Sequence, residues 1–170
     1  MRRVMVSGCG GAGQSTLARR LGDKLALPVI ALDMLYWRPG WVERPQAEFR
    51  ETVARLAATP EWVMDGNYSL TYDLRMPIAD AIVWLDLPRW TCMRRVLLRT
   101  ASGHGRTRDS MTPGCPERFD MDFLRYVWDF HARHRPRIVE ALEKYACYER
   151  LYRLESRKEG NRFLAMIKRP

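Results

Sequence analysis

Residues Gly8-Cys9-Gly10-Gly11-Ala12-Gly13-Gln14-Ser15-Thr16 constrain this chain more than any other segment. Four glycines fall within six residues, after the apolar run Val4-Met5-Val6 and before Leu17, Ala18 and Leu21, which are spaced along one helical face. Glycine tolerates left-handed backbone that other residues resist, so the segment reads as a tight turn between a buried strand and a helix N-terminus. Such a turn aims backbone N–H groups and the positive end of the helix dipole at an anion. Gly8 and Gly13 occupy the two glycine positions of the pattern G-x-x-x-x-G-K-[ST], and Ser15 its hydroxyl position. Gln14 stands where the pattern has lysine. The candidate phosphate cradle is therefore Gly8, Gly10, Gly11, Ala12, Gly13, Gln14, Ser15 and Thr16, with its dipoles intact and its ammonium missing.

A chain of 170 residues is long enough for one domain with a substantial core, and residues 1–170 read as a single unit. No run of 18 apolar residues suggests a membrane span, and Met1-Arg2-Arg3 leads straight into the first strand without a signal-peptide pattern. Cys9, Cys92, Cys115 and Cys147 are widely separated, with no C-x-x-C, which fits reduced thiols in the cytoplasm better than disulfides or a zinc site. The net charge is +9, and only Lys24, Lys144, Lys158 and Lys168 among the 29 basic residues are lysines. Arginine suits bidentate phosphate recognition, which fits a nucleotide; a nucleic-acid surface and a plain compositional bias are the competing readings. No DNA-reading motif supports the nucleic-acid reading.

Apolar strands alternate with helical segments. Val29–Leu32 reads as a second strand ending at Asp33, Trp62–Met64 as a third ending at Asp65, Ala81–Leu85 as a fourth ending at Asp86, and Leu151–Leu154 as a fifth. Helices are expected over Glu43–Ala58, Arg89–Arg99, Phe119–His134, from Pro136 to about Tyr145, and over Lys158–Ile167. Ala101–Pro116 is rich in Gly, Ser, Thr, Arg and Pro and reads as a mobile loop. This order predicts an α/β fold, with a parallel sheet covered on both faces and ligands at the carboxyl ends of its strands. Asp33 and Asp65 then fall beside the glycine turn.

Several stretches carry a resemblance: Ile30-Ala31-Leu32-Asp33-Met34-Leu35-Tyr36-Trp37, Pro39-Gly40-Trp41, Asp65-Gly66-Asn67-Tyr68, Trp84-Leu85-Asp86-Leu87-Pro88-Arg89 and Met111-Thr112-Pro113-Gly114-Cys115-Pro116-Glu117-Arg118-Phe119. With the glycine turn, they make the chain resemble the nucleoside-monophosphate-kinase branch of the P-loop proteins, which includes adenylate and shikimate kinases. More narrowly it resembles bacterial adenylate-kinase-related topology modulation proteins. The resemblance implies a P-loop NTPase fold with a five-stranded parallel sheet in order 2-3-1-4-5 and a lid after the fourth strand, within residues 101–118. It implies ATP and Mg²⁺ as cofactors and phosphoryl transfer to a small acceptor. Ser15 would ligate Mg²⁺ and Asp65 would hold it through water; Asp33 would contact the acceptor; Arg95 and Arg99 would serve adenine and phosphate. Adenylate kinases carry an arginine in Asp-Gly-Phe-Pro-Arg, where this chain has Asp65-Gly66-Asn67-Tyr68-Ser69.

The residue chemistry agrees in outline. Phosphoryl transfer needs positioning and charge neutralisation, which a phosphate cradle, Ser15 with Asp65, and arginines can supply. Asp33 reads as a carboxylate base for the acceptor or as a helix cap. Asp65 reads as a metal residue or as the turn residue of Asp-Gly, and Asp86 as structural. Arg95 and Arg99 share a helix face, and Arg106 and Arg108 lie in a Gly-containing loop suited to closing over phosphate. Trp37 and Trp41 are candidate walls for an acceptor. His131 and His134 read as surface or lid residues. The expected partners are a nucleotide and a small acceptor. A nucleotide-binding regulator without turnover is the alternative, since Gln14 removes a catalytic cation.

Overall fold

The computed structural model describes residues 1–168. In chain order its main elements are β1 (Arg3–Gly8), α1 (Gln14–Leu25), β2 (Val29–Ala31), α2 (Leu32–Tyr36), α3 (Gln46–Ala57), β3 (Trp62–Asp65), α4 (Tyr72–Arg75), β4 (Ala81–Leu85), α5 (Arg89–Gly103), α6 (Met121–Asp129), α7 (Arg135–Lys144), β5 (Leu151–Leu154) and α8 (Arg157–Met166). A two-rung antiparallel ladder pairs Trp37–Arg38 with Val42–Glu43 between α2 and α3. The five β-strands form one parallel sheet in the order β2-β3-β1-β4-β5, the expected 2-3-1-4-5. The fold is that of a P-loop NTPase.

Apolar runs explain the centre of the sheet. Val4–Val6, Trp62–Met64 and Ala81–Val83 are wholly inaccessible, as a sheet covered on both faces requires. β1 lies between β3 and β4, with Val4 opposite Val63 on one side and Ala81 on the other. The glycine turn therefore leaves the middle of the sheet, with the end of β3 at its flank. Asp86 follows β4 with its side chain 2% exposed, bound by Arg135 and Arg153, whose guanidinium groups flank the Trp84 ring at 5.3 and 5.5 Å. Its role is structural, as the sequence suggests.

Three boundaries differ from expectation. β2 ends at Ala31, and Leu32 already belongs to α2, so Asp33 sits in the first turn of a short helix rather than at a strand end. The wholly buried Leu32 packs with Phe49 and Val53 of α3 in a second, smaller core, and that burial turns the chain early. α5 runs to Gly103, so the first residues of the expected loop are helical. The helix expected from Phe119 begins at Met121, capped by the Asp120 carboxylate on the Phe123 N–H, and passes through a π-helical turn, Phe130–His134, before α7. Pro136 stands in the first turn of α7, directly after the π-helical turn.

Residues 104–118 fold down instead of projecting. Their neck is closed by Gly105 N–H on Glu117 O and Glu117 N–H on Arg106 O, both at 2.9 Å. Their tip docks on the 34–41 segment: Thr112 donates to Trp37 O at 2.7 Å, Gly40 N–H to Gly114 O at 2.9 Å, and Trp41 Nε1 to Pro116 O at 3.1 Å. Met111 and Cys115 are buried by this docking.

Candidate functional site

The glycine turn is shaped by close approach. Gly11 has φ +83, and a Cβ there would lie 2.5 Å from the Cys92 carbonyl oxygen on α5. Gly10 meets α6, where a Cβ would lie 2.8 Å from the Phe123 ring. Ala12 N–H closes the turn on Cys9 O at 2.9 Å, and Arg95 Nη1 reaches from α5 to Ala12 O at 3.2 Å. Leu17 is the first N–H of α1 with a helical acceptor, Gly13 O at 3.0 Å. The N–H groups of Gln14, Ser15 and Thr16 are thus left over at a helix N-terminus whose first turn holds no acid. This is the electrostatic make-up of an anion site.

That turn forms one wall of a cavity of about 880 Å³. Gly10, Gly11, Gly13, Gln14, Ser15 and Thr16 line it; Gly8 and Ala12 lie behind the lining and carry its backbone. Asp33 and the mutually packed Tyr36, Trp37, Trp41 and Tyr68 line it as well, as do the paired Arg99, Arg108 and Glu117. Tyr126, Phe130 and His134 of α6 and the π-helical turn close a further side, so His134, expected at the surface or in a lid, faces the cavity. Burial, with the nearby Arg137 and Arg133 charges, pushes the His134 pKa down.

Asp65 ends β3 beside the cradle. It is 6% exposed, and its Oδ1 has no hydrogen-bond partner. Burial pushes its pKa up to about 7, with the nearby Asp33 charge adding to the rise and the Ser15 hydroxyl and Arg108 opposing it. An unpartnered buried carboxylate oxygen beside a serine hydroxyl at a helix N-terminus is a hard oxygen donor set, which fits Mg²⁺. No group of three or more His, Cys, Asp or Glu side chains that could hold a metal ion exists among the described residues. Asp33 faces the same space from α2 and accepts a 2.7 Å hydrogen bond from the Tyr68 hydroxyl.

The loop after β3 ties these parts together, through residues to which sequence reasoning gave no role. Asn67 accepts from Gly8 N–H at 3.0 Å, donates to Gly8 O, and bonds the Tyr126 hydroxyl at 2.9 Å. Arg75, fully buried on α4, donates to the backbone carbonyls of Gly66 and Asn67 and to Thr71 Oγ1. Burial pulls its pKa down to about 10, so it stays charged, with the loop carbonyls accepting its N–H groups. Asn67 lies inside the quoted Asp65–Tyr68 stretch and could have been found there; Arg75, one arginine in a short helix, gives no sequence signal.

The arginines divide. Arg95 braces the cradle. Arg99 and Arg108 share one carboxylate, Glu117, whose side chain is 7% exposed; Arg99 Nε lies 3.3 Å from Glu117 Oε1, and Arg108 pairs with the same oxygen. Burial and the neighbouring Arg108 charge hold the Arg99 pKa below the ordinary range. Arg106 is exposed and does not line the cavity, so the structure does not bring it to the other site residues. Gln14 folds back, its Nε2 donating to Cys9 O at 3.4 Å.

No family model and no curated protein matches this chain. Solved structures do. A shikimate kinase from Bacteroides thetaiotaomicron aligns at TM-score 0.52 and 21% identity over 96% of this chain and 94% of that one. A shikimate kinase from Acinetobacter baumannii, in complex with shikimate, aligns at TM-score 0.60 and 15% identity over 98% and 92%. At these identities the likeness establishes the kinase-like P-loop fold. No helix among the described residues is long and apolar enough to cross a membrane.

Proposed function

We propose that this chain binds ATP with Mg²⁺ and transfers the γ-phosphoryl group to a hydroxyl of a small acceptor, with turnover slowed by Gln14. The observation that carries the reading is Asp65 Oδ1, buried without a partner, beside Ser15 at the N-terminus of α1. The N–H groups of Gly13 to Thr16 would hold phosphate oxygens, and Ser15 and Asp65 would hold the metal, which supplies charge neutralisation across the outer phosphates. Asp33, oriented by Tyr68, would accept the acceptor hydroxyl's proton as its oxygen bonds to phosphorus and ADP leaves. Arg95 would keep the cradle in shape, and Arg99 and Arg108 would neutralise charge on the transferring group. Residues 101–118 would act as the lid of a single kinase domain, excluding water. Arg106 has no part in this reading. Buried thiols at all four cysteines agree with a reducing, cytoplasmic setting.

The acceptor wall of Tyr36, Trp37, Trp41 and Tyr68 around one carboxylate supports a small hydroxylated compound. The fold likeness makes shikimate the first to try, and the narrower resemblance to topology modulation proteins names no acceptor. The test is ADP formation from Mg-ATP across a panel of small hydroxyl compounds, with Asp33→Asn as control. Gln14 favours a second reading, in which nucleotide is bound and not consumed; calorimetric binding of Mg-ATP without ADP formation in any acceptor would select it.

A further inference from the structure

We infer that Glu117 is a positioning residue that sets Arg108 over the phosphate cradle as the cation Gln14 does not supply; the inference rests on the nucleotide-binding reading above. Gln14 leaves the cradle one charge short, and its amide nitrogen donates to its own loop, at Cys9 O. The lid, residues 101–118, contains three arginines; Arg118 lies over the Trp41 ring and pairs with Asp120, which leaves Arg106 and Arg108 to make up the charge. Arg106 is exposed and outside the cavity, whereas Arg108 lines it.

Two contacts fix Arg108 there. Its neighbour Asp109 reaches Arg19 of α1 at 3.6 Å, which lays this part of the lid across the helix that the cradle opens. That pair is exposed, and by itself a weak tether. The stronger contact is the Arg108–Glu117 ion pair, with Glu117 buried. Arg108 and Asp65 line the same cavity.

Glu117 does two things at once. Its backbone closes the lid neck with Gly105 and Arg106, and its side chain holds Arg99 and Arg108 together. Without it the two guanidinium groups would repel each other and turn to solvent. One carboxylate against two guanidiniums leaves a single positive charge for a ligand, the charge a P-loop lysine brings. A carboxylate that merely closed the neck would affect every ligand alike; one that aims Arg108 at the outermost phosphate would affect ATP more than ADP.

The test is calorimetric affinity for Mg-ATP and Mg-ADP, with melting temperature as a folding check. The variants are Glu117→Gln, Glu117→Asp and Arg108→Gln, each with Gln14 and with Gln14→Lys. With Gln14, Glu117→Gln and Arg108→Gln are each expected to weaken ATP about tenfold and ADP less than about twofold. Glu117→Asp should retain part of the ATP preference. Gln14→Lys should restore most of the loss. Equal weakening of both nucleotides, no weakening of ATP, or no recovery with Gln14→Lys would overturn the inference. If Glu117→Gln does not fold, the half-exposed Arg108→Gln carries the same comparison. A wild-type chain that prefers ATP while Arg108→Gln is unchanged overturns this inference alone; one that binds neither nucleotide overturns the nucleotide reading with it.

Discussion

Asn67 pairs with both peptide groups of Gly8, accepting from its N–H at 3.0 Å and donating to its carbonyl. One side chain from the loop after β3 thus fixes the first residue of the glycine turn, and its third bond, to Tyr126, ties that turn to α6. Asn67→Ala leaves both Gly8 groups without these partners. It is expected to cost about 1–3 kcal/mol of stability, read as a lower denaturant midpoint, and to weaken Mg-ATP in calorimetry.

Arg75 holds the same loop from below. Arg75→Met removes the donor to the Gly66 and Asn67 carbonyls and leaves them buried. The expected loss is at least about 3 kcal/mol in chemical denaturation, with Arg75→Lys intermediate because an ammonium cannot span the same acceptors. A Met variant as stable as wild type would remove Arg75 from the account.

Asp65 gives the site a pH dependence with a defined sign. Its folded pKa, about 7, lies above the ordinary 3.8, so the folded chain keeps a proton that the unfolded chain releases between those values. Stability from this group is therefore highest below the ordinary pKa and falls as pH rises toward 7. Metal binding runs the other way, because a ligand carboxylate must be ionised. Mg-ATP affinity should rise from about pH 6 to about pH 8, and Asp65→Asn should flatten the curve while weakening binding throughout.

Gly11 is expected to tolerate no side chain. With φ +83 and the Cys92 carbonyl 2.5 Å from its would-be Cβ, Gly11→Ala must move α5 or the cradle. A loss of about 1–3 kcal/mol is expected in thermal or chemical unfolding, together with loss of nucleotide binding.

How much of this was legible in the sequence depends on the kind of signal. Val4–Val6, Trp62–Met64, Ala81–Leu85 and Leu151–Leu154 are apolar runs, and burial on both faces makes such runs strands. The glycines and Ser15 were legible because left-handed turns and helix N-termini restrict residue type. The sequence puts Asp33 at a strand end because nothing local marks the break at Leu32; the small core around Phe49 decides it. The difference between Arg106 and Arg108 was not legible either, since both are arginines in one loop and only the docking of the lid on the 34–41 segment turns one inward. Glu117 acts through Arg99, on another element, and Arg75 through backbone carbonyls of the loop after β3, which no residue type marks, so no spacing reveals either.

The central claim is that the turn from Gly8 to Thr16, with Ser15 and Asp65, holds the phosphates of a nucleotide and lacks only a lysine. The most direct measurement is calorimetric titration of Mg-ATP into the wild-type chain and into Gln14→Lys. The account predicts weak binding to the first and affinity about tenfold higher for the second, the worth of one charge-assisted hydrogen bond over a neutral one. Equal affinities, or no binding by either protein, would contradict it.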